Sequence, residues 1–411
     1  MSVQRNTTEY KKDRMNKISD DRTFQYCTVE ENLDDKRKIT ESGTNELKKN
    51  SKTRVEKVLD VFRKNHHMQK PSTKGKSKKN KLNKNDSDEI FNKRLSVEAN
   101  KLFEDERLLD AACLLRKINP TSLLTDEERQ RIQIADEFSS FFSVLKNFDG
   151  ILSSLESSSW KSLNVSKING YFTDCYYNIQ RKKDSTSVKL DMKISSIVHK
   201  SLVPYLLAVL NETDLFYQWM PQWNIPKVKV TRSERLQQTG RCSQVLLFTL
   251  QLPWPLNFVE IVLDAVAIDD IKSSKSIGIR FQTLKSGDKD GLIPPPEPKA
   301  NRLDSNGGFM IHIPSEELMN RAQDGGFIKK NENPDDFLQY TFLTKLENKG
   351  FNVPEYILRF VCRVMILCGW KRFLQVAEEI RDGKRPDHAA RIKKNKELYD
   401  WIDVRLDVLC S

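Results

Sequence analysis

The sequence predicts an α+β protein: one curved antiparallel sheet, closed by a long C-terminal helix over an apolar cavity and preceded by a helical region and a disordered basic arm. Three observations carry this. Successive runs between residues 171 and 346 alternate apolar and polar side chains, the period-2 signature of half-buried strands. The stretch from Pro354 to about Arg381 has the broadest apolar helical face in the chain. The charge is lopsided: residues 1–94 hold 25 of the 69 Lys and Arg but only 15 of the 57 Asp and Glu.

Residues 1–90 read as the disordered arm, because Lys, Asn, Asp, Ser and Thr dominate and apolar residues are sparse. Within it Lys74, Lys76, Lys78, Lys79, Lys81 and Lys84 form a basic run. Such a run serves as a nuclear-import signal, as a peripheral contact with anionic membranes, or as a solvated linker, and the last is commonest. Residues 95–411 are nearly balanced, 44 basic against 42 acidic. A fold that reads nucleic acid carries a basic face of its own, so no specific nucleic acid partner is expected.

Residues 91–150 read as a helical hairpin plus a helix. Leu95, Ala99, Leu102 and Phe103, then Leu108, Leu109, Ala112 and Leu115, repeat at helical spacing. A lone hairpin cannot bury its own apolar face, so it is expected to pack on the next element. Thr125 and Glu128 make a capping box before the face Ile132, Ala135, Phe138, Phe142 and Leu145.

Structure from 151 to 385 reads as one domain. Tyr171–Ile179 and Val188–Ile194 alternate as strands, a helix is expected over Ile197–Tyr217, and further strands over 227–236, 243–252, 258–268, 276–284, 307–313 and 338–346. Short polar turns between them argue for a meander. Gly307-Gly308 and Gly325-Gly326 read as turns. The closing helix presents Leu358, Cys362, Met365, Gly369, Phe373, Ala377 and Ile380, widened by Ile357, Val361, Val364 and Cys368. Gly369 on that stripe reads as a close approach of helix to sheet. Residues 386–411 form a C-terminal extension, a charged stretch leading to Trp401, Ile402, Val404, Leu406, Val408 and Leu409.

Several motifs resemble the START (StAR-related lipid-transfer) domain family, over roughly residues 150–385. VPYLLAVLNETDLFYQWMPQW at 203–223, LPWPLNFVEIVLDAVAID at 252–269, GGFMIHIP at 307–314 and VPEYILRFVCRVMILCGWKRFLQVAEEI at 353–380 fall in the order of that family's helix, long strand, late strand and closing helix. The resemblance implies a helix-grip fold and a lipid or other hydrophobic small molecule as ligand, bound without catalysis. It also implies motion of the closing helix or its neighbouring loops for ligand entry.

Candidate cavity residues follow from this resemblance and from strand alternation. By the resemblance, Val262 stands where many such domains carry an arginine that holds the head group. Glu260 and Asp264 share its face. The opposite face, Val259, Ile261, Leu263, Ala265 and Ala267, is wholly apolar and serves equally well as the wall, and alternation does not choose between them. Arg280, on the neighbouring strand, is a partner for Asp264 in an outer-surface pair or, if turned inward, an anchor for phosphate. His312 is flanked by Ile311 and Ile313 and reads as a packed or surface histidine. Ile357, Val361, Met365 and Cys368 are the helix positions expected over the cavity.

No G-x-S-x-G, P-loop or H-E-x-x-H pattern occurs, and the five histidines and seven cysteines show no zinc spacing, so neither metal nor cofactor is expected. The odd cysteine number, the lack of C-x-x-C and the polar first residues point to a reduced, cytoplasmic setting, with the cysteines as small core residues. Two rival readings stand beside the lipid binder. One is an enzyme of the aromatase/cyclase type on the same fold, which needs ionisable groups in the cavity, with Glu260, Asp264, Arg280 and His312 as candidates. The other is an adaptor with a vestigial cavity.

Overall fold

The computed structural model describes residues 84–119, 123–146, 159–163, 167–181, 188–220, 222–224, 227–252, 258–284, 291–348 and 366–410. The Pro253-Trp254-Pro255 motif, the basic run up to Lys81, and Ile357, Val361 and Met365 lie outside the described residues.

Eight long strands make the sheet: β1 (Tyr171–Arg181), β2 (Val188–His199), β3 (Lys227–Gln238), β4 (Gln244–Gln251), β5 (Phe258–Asp270), β6 (Ser276–Thr283), β7 (Asp304–His312) and β8 (Phe337–Asn348). They lie in the order β1-β2-β8-β7-β6-β5-β4-β3, every neighbour antiparallel. Strands β3 to β8 are the expected meander. β8 then returns to pair with β2 from Phe337↔His199 to Asn348↔Val188. Register shifts at Val230/Arg232 and Arg235/Gln237 mark bulges that bend the β3 edge. The order of helix, meander and closing helix is that expected from the sequence.

Three helices precede the sheet, and the second and third cover one of its faces. Helix α1 (Lys84–Glu104) begins before Phe91, where the sequence placed the first structure. Helices α2 (Leu108–Leu115) and α3 (Asp126–Lys146) follow. The capping box forms: Thr125 N donates to Glu128 Oε2 at 2.8 Å and Glu128 N to Thr125 Oγ1 at 3.2 Å. Leu95, Ala99, Ala111 and Leu115 bury the hairpin's inner face. Leu108, Leu109 and Ala112 join Phe138, Phe142 and Leu145 of α3 against Ile268, Met310 and Leu343 of the sheet.

That contact corrects the reading of Gly307-Gly308 as a turn. Both lie inside β7. A Cβ on Gly308 would run into the Phe141 ring and the Ile279 carbonyl, and one on Gly278 into the Phe142 ring. Glycine is required there because two phenylalanines of α3 press on the strand backbones. Gly325-Gly326 is a turn, with Gly326 at φ +71°, after helix α5 (Glu316–Asp324).

The helix expected over 197–217 starts later and is broken at Glu212, with short helical turns resuming over Thr213–Leu215 and Phe216–Trp219. β2 continues to His199, and after a single 3-10 turn α4 spans Val203–Asn211, with Pro204 in its first turn where its missing N–H costs nothing. Ile197 and Val198 misled the pattern because both are buried, Ile197 against Leu318 and Met319 of α5 and Val198 in the main core. A strand covered on both faces loses its alternation.

Helix α6 (Leu367–Arg381) lies across the inner face of β1, β2 and β8. Trp370 Nε1 donates to Ser196 Oγ at 2.9 Å, and Tyr171 OH to Glu378 Oε1 at 2.8 Å. Among the described residues, a Cβ on Gly369 would meet nothing within 4 Å, so the close approach expected there is not seen among them. The segment read as an extension forms two more helices, α7 (Pro386–Lys394) and α8 (Lys396–Cys410). Tyr399, Ile402, Leu406 and Leu409 of α8 are buried in the same core as α4 and α6. Among the described residues, no helix is long and apolar enough to cross a membrane.

Candidate functional site

The inner face of the sheet is packed solid under α6 but hollow beside it. Between β3–β8, α4 and α8 lies a cavity of about 380 Å³. Leu246, Phe248 and Leu250 of β4, Ile261, Leu263, Ala265 and Ala267 of β5, and Ile277, Ile279 and Phe281 of β6 form its sheet wall. These are alternate residues along each strand, as the pleat requires. Phe309 and Phe342 complete the wall with ring centroids 4.7 Å apart, and Phe216 stacks on Phe248 at 5.3 Å. Leu207 and Leu210 of α4, Met220, Ile366, and Trp401 and Ile402 of α8 close the other side.

One end of this apolar chamber is polar. Glu106, Asn211, Cys242, Gln244, Asp269 and Arg405 meet there. Arg405 Nη2 lies 2.5 Å from Asp269 Oδ2, and Arg107 Nε lies 4.0 Å from the same oxygen. Glu106, at φ +59° in the turn between α1 and α2, accepts from Cys242 N at 3.1 Å. Burial raises the Glu106 carboxyl above its ordinary range, and the backbone donors of Cys242 and Arg241 hold it back. Burial also pushes the Cys242 thiol up to about 12, with the Glu106 charge adding to it. Gln244 is 4% exposed; its Nε2 donates to Asn211 O at 3.4 Å and its Oε1 has no partner among the described residues. A polar cleft lined by Asn211, Arg235, Gln238, Arg241, Lys394 and Asn395 shares Asn211 with this end.

The residues picked from the sequence do not gather here. Glu260, Val262 and Asp264 sit on the outer face of β5, opposite the wall. Glu260 is fully buried under the proline-rich segment, where Arg302 Nε donates to its Oε2 at 2.9 Å. Val262 packs with Val245, Leu247 and Leu284 beneath Leu292 and Ile293. Of the two faces that alternation left open, the wholly apolar one is the wall. Arg280 is also on the outer face, 3.3 Å from Glu137 and 5.0 Å above the Phe138 ring, both on helix α3. His312 ends β7 outside the cavity, its Nδ1 2.9 Å from Ile313 O. Cys368 is buried in α6 and disulfide-bonded, where a reduced thiol was expected.

The polar end was missed, although two signals for it exist. Asp269 continues the inward series Ile261, Leu263, Ala265, Ala267, so it is a charge at the end of an apolar face. Tyr399, Ile402, Leu406 and Leu409 repeat at helical spacing, with Arg405 beside them.

No family model matches the chain, and no curated protein matches it. Solved structures do. Human StAR-related lipid transfer protein 5 is similar at 11% identity, over 61% of this chain and 99% of that one, with a TM-score of 0.40. Human STARD10 is similar at 12% identity, over 58% and 80%, with a TM-score of 0.39. A STAR-related lipid transfer protein fragment from Xanthomonas axonopodis is similar at 15% identity, over 54% and 99%, with a TM-score of 0.35.

Proposed function

We propose that the chain binds a lipid or another hydrophobic small molecule in the cavity, without transforming it. The observation that carries this is the wall itself: a chamber of about 380 Å³ in which strands and helices turn apolar side chains toward empty space. That volume is within the roughly 300–1,000 Å³ of small-molecule sites. An apolar void costs a fold stability unless something fills it, and burial of a ligand's apolar area at about 25 cal/mol per Å² repays binding. The solved structures similar to this chain carry lipid-transfer names, and carriage between membranes is the activity we infer here. The basic run of the N-terminal arm suits a peripheral contact with anionic membranes.

The aromatase/cyclase reading loses its candidates, because Glu260, Asp264, Arg280 and His312 all lie outside the chamber. Native mass spectrometry of the full chain purified from cells tests the proposal. A mass excess that disappears on denaturation and is identified as lipid supports it. A chain that emerges empty and takes up no hydrophobic ligand overturns it.

A further inference from the structure

We propose that helix α7 and its flanks are a docking surface for an anionic membrane, set beside the polar end of the cavity. This rests on the lipid-carrier reading, for which it names the surface that meets the bilayer. Three observations lead to it.

The first is charge. Residues 381–396 hold seven Lys and Arg against two Asp. The rest of residues 95–411 is left with 37 basic against 40 acidic residues, so the positive surplus of that region lies in this one segment. Lys384, Arg385 and Lys396 are paired with Asp382, Glu379 and Asp400. Arg391, Lys393 and Lys394 pair with no carboxylate among the described residues, and both lysines are exposed. Arg391 and Lys394, three apart on one helix, repel each other, and an anionic surface relieves that repulsion.

The second is the surface between the charges. The exposed positions of α7 are Pro386, Asp387, Ala389, Ala390, Lys393 and Lys394. None offers the Asn, Gln or Arg side chain that reads base edges. Small residues overtopped by lysines leave a surface that lies against lipid head groups. At its rim Gln218 Nε2 donates to Asp387 Oδ2 at 3.0 Å and to the Tyr217 hydroxyl at 3.4 Å. Tyr217 is 51% exposed there, a ring type at home where one end is apolar and the other wet. Asp403 and Asp407, exposed on α8, bound the patch and turn that helix away from an anionic bilayer.

The third is place. Helix α7 joins α6 to α8. Ile366, just before α6, and Trp401 and Ile402 of α8 line the cavity. Lys394 also lines the polar cleft with Arg235 and Arg241, and that cleft shares Asn211 with the cavity. Arg241 lies 4.7 Å over the Trp401 ring, so this stack stands between cleft and chamber. A bilayer held at α7 meets the molecule where the two adjoin.

The test is co-sedimentation of the full chain with vesicles of phosphatidylcholine alone and of phosphatidylcholine with phosphatidylserine. Lys393→Glu/Lys394→Glu is compared with Lys329→Glu/Lys330→Glu, an exposed pair next to Ile328 in the α5 cluster. Both variants change the net charge equally and keep the same N-terminal arm. At about fivefold in affinity per lysine, the first should weaken binding to the phosphatidylserine vesicles by about twentyfold or more, and the second by less than about threefold. Lys393→Gln/Lys394→Gln should show the same order of loss and replaces the glutamate pair if that variant unfolds. Equal losses at the two sites, or none at either, overturn the docking surface. So does an α7 variant that keeps vesicle binding but loses retention on a DNA duplex. Native mass spectrometry reads bound lipid in the same samples. Lipid present with vesicle binding indifferent to Lys393 and Lys394 overturns the docking surface alone. An empty chain whose vesicle binding depends on them overturns the lipid reading alone.

Discussion

Arg405, on the last helix of the chain, closes an ion pair of 2.5 Å with Asp269 at the end of β5. The pair joins the C-terminal helix to the sheet at the rim of the cavity, so it contributes to folding as well as to the site. Removing one partner strands a buried charge, at about 3–5 kcal/mol. Arg405→Met is expected to lower the thermal midpoint strongly, and Arg405→Met with Asp269→Asn less than the sum of the two. Thermal melts of the three variants give the coupling. Additive losses would mean that the pair is not a unit.

Helix α8 is a wall of the domain. Leu409 is fully buried, and Ile402 is both buried and exposed to the cavity. Leu409→Ala is expected to cost about 2–5 kcal/mol. A chain ended at Lys394 loses Tyr399, Ile402, Leu406 and Leu409 together, and should bind an apolar dye or aggregate. A truncated chain with an unchanged melt would show that α8 is dispensable.

The meander was legible because its six strands keep their period, even where the proline-rich segment and helix α5 stand between them. The predicted 227–236, 243–252 and 258–268 stand against observed Lys227–Gln238, Gln244–Gln251 and Phe258–Asp270. Which face of β5 looks inward was not legible. Val262 is as buried as any wall residue because the segment around Leu292 covers the outer face too. Glu260 looks like a solvent-facing charge in sequence, yet it is fully buried against Arg302. Long-range cover of this kind leaves no local period. Arg405 was hidden for a related reason: its partner lies 136 residues away, and a charge next to apolar residues near a terminus reads as surface.

Glycines in the sheet and in helix α6 should respond oppositely to alanine. Gly278→Ala and Gly308→Ala force Phe142 and Phe141 off the strands, and each is expected to destabilise by about 1–3 kcal/mol. Phe142→Leu should recover part of the Gly278→Ala loss. Gly369→Ala meets nothing within 4 Å and should stabilise by about 0.5–1 kcal/mol through helix propensity. Denaturant titration separates these cases, and a destabilising Gly369→Ala would contradict the open space around it.

His388 gives the fold a pH dependence. It is fully buried in α7, and neither ring nitrogen is hydrogen-bonded among the described residues. Burial, and then the charge of Arg385, push its imidazole below the ordinary range, while Glu212 and Asp387 pull it back. The folded state thus binds the proton less readily than the unfolded chain, whose histidine titrates near about 6.5. The contribution of His388 is present above that value and is lost as pH falls through it. Melts at pH 7.5 and 5.5 should show a smaller drop for His388→Leu than for the unaltered chain. Equal drops would assign the dependence to other groups.

The central claim, that the cavity is a ligand site, is tested most directly by filling it. Ala265 and Ala267 face the chamber from β5. Phenylalanine at both positions should occupy that space while α3, the outer face and the ion pairs stay as they are. The measurement is the amount of lipid extracted per mole of protein from the unaltered chain and from Ala265→Phe/Ala267→Phe, purified side by side and matched by circular dichroism. The account predicts close to one lipid per chain in the first and little or none in the second. Equal lipid in both, with the fold intact, would contradict it.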